Sequence, residues 1–479
     1  RFDEALESFG RAMALDEHHP NALDRYVYAK MLCCSWSHIE EDKRRLFAAI
    51  ERETVVPSPF AILTLSDSQS MQRKCADLYV RKSFPAPREP LWRGQRYAHD
   101  KIHLGYLSSD FFGHATAFLS AGMFESHDKD RFETYAFSYS RNDGSAVRKR
   151  IEACVNRFID VEEKSDSEIA RTVKEMEIDI AVDLKGITQE ARSGILAYRP
   201  APVQVAYLGY PGTTAMSWID YAIADHIVLP PELAAHFSEK IAYLPDTYQC
   251  NDSKREIADA APSRADEGLP ETGFVFCSIN NNYKITPYVF DIWIRLLRSV
   301  DGSVLWLLED NPAAARNLRQ EATARGIPAE RLIFAQRADP ASHLARHRLA
   351  DLFLDTLPCG AHTTASDALW AGLPVLTCAG TTFAGCVAAS LLTAIGLPEL
   401  ITSSLEDYEA LALDLARTPA RLAALRDKLA RNRGTAPLFV TDRFTRHLEA
   451  AYEMMWRRAQ DGLPPESFTV PRHETKTAP

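Results

Sequence analysis

After the strand-like run DLFLD (351–355) and a glycine-containing turn, His362-Thr363-Thr364 stands where a helix should begin. The first backbone N–H groups of a helix have no intrahelical partner and carry partial positive charge, so such a position can hold an anion. Two hydroxyls and an imidazole there suit a diphosphate, since each can donate a hydrogen bond. Asp367, three residues after Thr364, is placed to receive ribose hydroxyls. Alone, Thr363 and Thr364 would serve equally as helix caps. Lys284 closes Asn280-Asn281-Asn282-Tyr283-Lys284 after GFVFCSI (273–279), and a lysine leaving a strand end is a candidate diphosphate clamp, whereas elsewhere it would be a solvated surface group. In LGYLSSDFFGHAT (104–116), Asp110, Gly113, His114 and Thr116 meet at a strand-to-helix turn. Carboxylate and imidazole there could move a proton or bind a sugar, or act merely as turn former and cap. YLGYPGTT (207–214) adds a Gly/Pro loop through which backbone could approach a ligand. HExxH, clustered Cys/His ligands, a GxSxG elbow and a Walker A loop are all missing from the sequence. What remains is a metal-free diphosphate site, suited to departure of a nucleoside diphosphate from a sugar.

The elements that must position these groups change character along the chain. Ala5, Phe9 and Ala12 have helical spacing before LDEHHP, similar to the second helix of a tetratricopeptide repeat. Helical patterns continue over Asn21–Trp36 and His38–Glu51 and, past VVPSP, over Phe60–Lys82. SFPAPREPLWRG, with Pro85, Pro87 and Pro90, cannot continue a helix and marks a crossing. Then IHLGYLS (102–108), ETYAFSY (133–139), IDIAVDL (178–184) and VQVAYLG (203–209) alternate with helical stretches, the grammar of a parallel sheet with crossover helices. A polar stretch, 251–273, interrupts it before GFVFCSI, SVLWLLE, RLIFAQ, DLFLD and PVLTC repeat the pattern. The predicted organisation is an α/β chain: a tetratricopeptide-like helical segment at 1–84, Rossmann-like halves at 97–262 and 270–462 facing a cleft, and a loose tail at 463–479. The helical stretches Leu405–Arg433 and Thr441–Arg458 should finish the second half and lean back on the first.

With 479 residues, 55 Lys+Arg against 65 Asp+Glu and a net charge of −10, a generally basic, nucleic-acid-coating protein is excluded. At 46% hydrophobic and 25% charged, the chain can bury several cores. Nine cysteines without a CxxC pair fit a reduced, cytoplasmic setting, and no run approaches the roughly 20 apolar residues of a membrane span. The first residue, Arg1, falls inside a helical pattern, which predicts a longer parent protein.

The ordered set HLGYLSSDF, RPAPVQVAYLGYPGTT, DYAIADHIVLPP, NNNYK, SVLWLLE and ADLFLDTLPCGAHTTASDALWAGLPV resembles the O-linked N-acetylglucosamine transferases, glycosyltransferase family 41, including plant SPINDLY-type and bacterial relatives. The resemblance spans residues 1–460 and implies a GT-B fold and metal-independent, cofactor-free, inverting transfer of N-acetylglucosamine from UDP-GlcNAc to Ser/Thr of proteins. Repeats that present the acceptor are implied too. By this match Lys284 and the His362-Thr363-Thr364 turn hold the UDP diphosphate, Asp367 meets the ribose, and Asn281 replaces a phosphate-contacting glutamine, with Tyr283 beside it. Ala338 and His343 lie around the uracil, with Arg346 one turn further. His114 and Thr116 take sugar-side positions, Leu208 and Gly209 close that side, and Asp110 matches a carboxylate of the proton path. His114, Asp110 and Lys284 are thus the catalytic candidates.

Several positions depart from the family pattern. Pro340 replaces a nucleotide-holding lysine, Cys386 an arginine, and Ile187 an aromatic or histidine, so base contacts and donor sugar are open. The large insertion of animal enzymes is missing between PDTYQCND and GFVFCSI, as in bacterial forms. Two other readings remain at this stage: a GDP-fucose or UDP-glucose donor on the same fold, and a catalytically silent repeat-protein adaptor.

Overall fold

The computed structural model describes residues 2–15, 22–84, 88–260 and 262–472. The part of LDEHHP beyond Leu15, Pro85 and Pro87 of the crossing, and tail residues 473–479 lie outside them. The sequence up to residue 71 forms one compact unit with 255–436, and residues 72–254 form a second with the chain from 437 onward. This differs from the consecutive segments 1–84, 97–262, 270–462 and 463–479, because contact between elements, not sequence order, assigns the first and last helices.

The helical segment comprises Phe2–Leu15, Leu23–Leu32, Ile39–Glu51 and Pro59–Leu65. The single helix expected over Phe60–Lys82 is broken after Leu65, and Gln69–Ser83 starts afresh. Serine hydroxyls explain the break: Ser66 Oγ accepts from Ser68 N at 3.2 Å, and Ser68 Oγ from Met71 N at 3.3 Å, offering the backbone partners outside a helix. Inside the segment Lys30 Nζ pairs with Asp42 at 2.5 Å, both buried.

Fourteen strands are present among the described residues: β1 Ile102–Ser108, β2 Phe132–Ser138, β3 Arg157–Asp160, β4 Ile180–Asp183, β5 Val203–Ala206, β6 Tyr221–Asp225, β7 Lys240–Leu244, β8 Val275–Ser278, β9 Val304–Leu308, β10 Leu332–Ala335, β11 Leu352–Leu354, β12 Val375–Cys378, β13 Ile401–Thr402 and β14 Phe468–Thr469. All pair in parallel, as near-continuous apolar runs buried on both faces should. One sheet runs β14-β7-β6-β5-β4-β1-β2-β3 and the other β10-β9-β8-β11-β12-β13. Each therefore contains the doubly wound order 3-2-1-4-5-6, and each reverses direction once, between β1 and β4 and between β8 and β11. Asp110, His114 and Lys185 follow β1 and β4 in one unit, and Asn280, Lys284 and Asp355 to Thr364 follow β8 and β11 in the other.

The α/β architecture expected from the alternating pattern is the one observed, with local differences. β5 ends at Ala206, not Gly209, because Leu208 turns into the left-handed region at φ 69°. The expected loose tail contributes β14, which pairs with β7 through Phe468↔Ala242 and Thr469↔Tyr243, and Val470 is buried behind it. The helix Thr441–Gln460 packs in the β1 unit. Its wholly buried Glu449 accepts from His127 Nδ1 at 3.0 Å and from Asp128 N at 2.7 Å, while His127 Nε2 meets Tyr106 OH at 2.8 Å. Glu449→Ala would take the acceptor from buried His127 and from the Asp128 N–H, and the ion-pair partner from Arg446, and should lower stability by about 2–4 kcal/mol, read from the urea midpoint. A loss below about 0.5 kcal/mol would mean that the helix is held by apolar packing alone.

Candidate active site

In the β8 unit the site grows from two loops at the β8/β11 reversal. Asp355, buried directly after β11, accepts Thr356 N–H at 2.7 Å and Ala361 N–H at 2.6 Å with Oδ1, and the Thr377 hydroxyl at 2.7 Å with Oδ2. Burial pushes this carboxyl up to about 6 against the pull of those donors and of Lys284. Asn280, just past β8, joins the two loops: its Nδ2 donates to Thr356 Oγ1 at 3.0 Å and its Oδ1 accepts from Thr364 Oγ1 at 2.5 Å. Lys284 ends a single turn, Asn282–Lys284, and Nζ donates to Gly360 O at 2.6 Å. An ammonium has three donors; Cys359 is a second neighbour of this one, and the anchor does not exhaust what it can offer an anion.

The helix Thr363–Ala371 starts with no side-chain bond capping it, which leaves its first N–H groups open. His362 differs from expectation. Its Nε2 donates to Ala384 O at 3.0 Å, and burial and Lys284 push the imidazole down to about 3. It is therefore neutral and presents a bare Nδ1, which cannot donate to a phosphate. The Thr364 hydroxyl is likewise engaged, by Asn280. Backbone N–H groups, Lys284 and Thr363 are the donors the helix start offers.

Asp367, on the next turn, forms an ion pair with Arg255, whose carbonyl accepts from Trp370 Nε1 at 3.0 Å. His343 Nε2 lies 4.0 Å from the other Asp367 oxygen, and Nδ1 accepts from Arg346 Nη2 at 2.8 Å. Burial, reinforced by His347 and Arg346, pushes His343 far below the usual imidazole range. Arg346 is itself buried and donates to Gln336 O at 2.5 Å, so it stands behind His343 and orients it. Ala338 is exposed in the loop before the helix Pro340–Arg346. Pro340 occupies the first turn of that helix, where its missing N–H costs nothing, and Asp339 caps the next two N–H groups at 3.1 Å each. Tyr283 lies in an aromatic group with Tyr28 and Phe60, at 5.8 and 6.2 Å between centroids, and accepts from Asn281 Nδ2 at 3.4 Å. It fixes the helical segment to the sheet within this unit.

In the β1 unit the loops after β1 and β4 meet. Asp110 and Lys185, each 4% exposed, form an ion pair with Nζ 2.8 and 3.0 Å from the two carboxylate oxygens. Thr116 Oγ1 donates to Asp110 Oδ2 at 3.2 Å, and His114 Nδ1 lies 3.3 Å from the same oxygen. His114 caps the helix Ala115–Glu125 by accepting from Thr116 N at 3.3 Å. Burial lowers its pKa, Asp110 raises it, and Lys185 lowers it again. The Lys185 loop is tightly made. Asp183 accepts from Lys185 N at 2.8 Å and Gly186 N at 3.1 Å. A Cβ on Gly209 would stand 2.2 Å from Leu184 O, so only glycine lets that loop, with Leu208, cross here. Thr213 and Thr214 close the same loop on the buried Glu239, at 2.5–2.7 Å.

Of the residues named from sequence, Lys284, His362, Thr363 and Thr364 are brought together, as are Asp367 with His343 and Asp110 with His114 and Thr116. Sequence reasoning missed Lys185, Arg255 and Asp355. Lys185 carried the signal that singled out Lys284, a lysine just past a strand; Arg255 lay in a stretch read as an interruption, and Asp355 was read as strand. Among the described residues no group of three or more His, Cys, Asp or Glu side chains could hold a metal ion, and no helix is long and apolar enough to cross a membrane.

The family model of glycosyl transferase family 41 matches residues 63–261 and 254–448. The chain belongs to that family. It is 36% identical over 462 residues to the probable UDP-N-acetylglucosamine–peptide N-acetylglucosaminyltransferase SEC of Arabidopsis thaliana, covering 91% of this chain and 47% of that protein. To the UDP-N-acetylglucosamine–peptide N-acetylglucosaminyltransferase of Caenorhabditis elegans it is 26% identical over 564 residues, covering 91% and 49%. The family 41 chain thus spans about half the length of the curated relatives it matches. A mutant O-GlcNAc transferase of Thermobaculum terrenum superposes with a TM-score of 0.81 at 28% identity, over 96% of this chain and 88% of that one, which supports the GT-B fold class.

Asp355 gives this family 41 site a pH signature. A carboxyl whose folded pKa is raised contributes stability below its unfolded value, near 4, and loses it as pH rises through about 6. Asp355→Asn can keep the Oδ1 bonds and reverse the one to Thr377. The variant's melting temperature relative to wild type should therefore rise between pH 4.5 and 7.5; a constant difference would refute the raised carboxyl.

Proposed function

We propose that this chain is the catalytic part of an enzyme that transfers N-acetylglucosamine from UDP-GlcNAc to Ser or Thr hydroxyls of proteins, with inversion and without a metal ion. The observation that carries the reading is Lys284 beside the open N-terminus of the helix Thr363–Ala371, in a family 41 chain whose relatives bear that activity in their names. In the proposed reaction the acceptor oxygen bonds to the anomeric carbon as the bond to the β-phosphate oxygen breaks. UDP leaves with the electron pair, and the acceptor hydroxyl passes its proton to water or to the departing diphosphate. Negative charge grows on the diphosphate, where the Lys284 ammonium and the helix N–H groups are already oriented. Neutral His362 and buried Asp355 shape the turn without competing for that anion.

The nucleoside end is proposed to lie at Asp367 and His343. Asp367 then shares its carboxylate between Arg255 and the ribose, and neutral His343, fixed by Arg346, presents Nε2–H. The sugar end is proposed for His114, Thr116 and the Leu208-Gly209 loop, and the helical repeats for the acceptor.

Thermal unfolding with saturating UDP, GDP or neither tests the donor. At a ligand concentration about 100 times Kd, UDP should add about 2.7 kcal/mol, and GDP should not. Lys284→Ala should abolish the shift and lower turnover on UDP-GlcNAc and a peptide library by about 10²-fold or more, the scale of losing one oriented donor. Near-normal turnover in that variant would remove Lys284 from the mechanism; a shift with GDP alone would move the donor to a guanosine sugar.

A further inference from the structure

Lys185 has no part in the assignments above, yet the loop that carries it is fixed at several points. Asp183 holds its N–H, Thr188 Oγ1 donates to its carbonyl at 3.0 Å, Gly186 takes φ 58°, and Gly209 presses on the preceding carbonyl. The effect is to aim one ammonium at both oxygens of Asp110. Asp110 Oδ2 lies 3.3 Å from His114 Nδ1, and that nitrogen also faces the N–H of Thr116 at 3.3 Å. These two neighbours demand opposite things. A carboxylate with free lone pairs would draw a proton onto Nδ1 and leave Nε2 a bare base; the Thr116 N–H needs Nδ1 bare, with the proton on Nε2.

We propose that Lys185 is a positioning residue of the sugar-side site: by clasping Asp110 it withdraws the carboxylate from Nδ1 and fixes His114 as an Nε2–H hydrogen-bond donor. This deepens the transferase reading and rests on it for its catalytic meaning. His114 then binds a sugar or acceptor oxygen as a donor, and does not take the acceptor's proton. The other charged groups about it are Glu190 on the Lys185 loop and Asp143, which accepts from Gly113 N at 2.8 Å.

The test is an NMR titration of His114 on the full chain, with its ring signals assigned by their loss in His114→Asn. Ring nitrogen shifts report the tautomer. Wild type should show the proton on Nε2; Lys185→Met should move it to Nδ1 or raise the pKa by at least about one unit, the effect of an uncompensated neighbouring carboxylate. Lys185→Arg should keep the wild-type signature. Should Lys185→Met fold only together with Asp110→Asn, the double variant should keep the proton on Nε2, because no carboxylate remains for Lys185 to withdraw. A tautomer and pKa indifferent to Lys185 while Asp110 is present, or a proton on Nδ1 in the double variant, overturns the proposal. The acid limb of kcat/KM should move with the titration in Lys185→Met. Because the titration needs neither donor nor acceptor, inactivity of the wild type would count against the transferase reading and leave the Lys185 result standing.

Discussion

Asp183 at the end of β4, Asp225 at the end of β6 and Asp355 just past β11 each turn a buried carboxylate onto backbone N–H groups of the loop that follows. Asp225 accepts from Ile227 and Val228 in its own loop and from Tyr248 beyond β7, at 2.8–2.9 Å, and the other two accept from their own loops. At the C-terminal end of a parallel strand the chain must leave the sheet at once, and its freed N–H groups lie in a dry interior. A carboxylate can accept several of them in one place. Its burial is costly, which shows in the raised pKa of Asp183 and Asp355. In return, the loops carrying Lys185 and His362 have fixed shapes. At the opposite strand ends the aspartates meet cations instead: Asp220 with Arg199, Asp351 with Arg264 and Arg426.

The same division of labour explains why, beside the start of the helix Thr363–Ala371, positive charge is offered by Lys284 and by backbone N–H groups and not by imidazole. His343, His347 and His362 are all pushed toward neutrality, by burial first and then by nearby cations. Each has a nitrogen committed to a fixed partner, Arg346, the His343 carbonyl and the Ala384 carbonyl respectively. Imidazoles in this setting set orientation, and the anion is left to Lys284 and the helix N–H groups.

The alternation of β-rich and helical runs made both Rossmann-like sheets legible, since strands buried on both faces are continuous apolar segments. β3, β6 and β7 were not singled out: β3 is short and only half-buried, so RFID has little apolar signal. Lys284, His362 and Asp367 were legible because a lysine, a turn or a helix start follows a strand directly. What the turn offers was not legible, since the engagement of His362 by Ala384 and of Asp367 by Arg255 links residues 22 and 112 positions apart. A serine-rich break such as Ser66-Asp67-Ser68 is visible only once its hydroxyls are seen to replace helical bonds.

β14 gives the outer edge of the larger sheet a partner. Without it, β7 would present a row of backbone groups able to pair with a strand from any other chain. More than two hundred residues, including the whole of the other sheet, separate β7 from the segment that covers it. At roughly 5–20 residues per second of synthesis, that edge emerges from the ribosome well before its cover exists, and stays open for tens of seconds. The last-made stretch of the sheet is therefore a timing device of biosynthesis, and the interval before it arrives is when this chain is most exposed to pairing with its neighbours on a polysome.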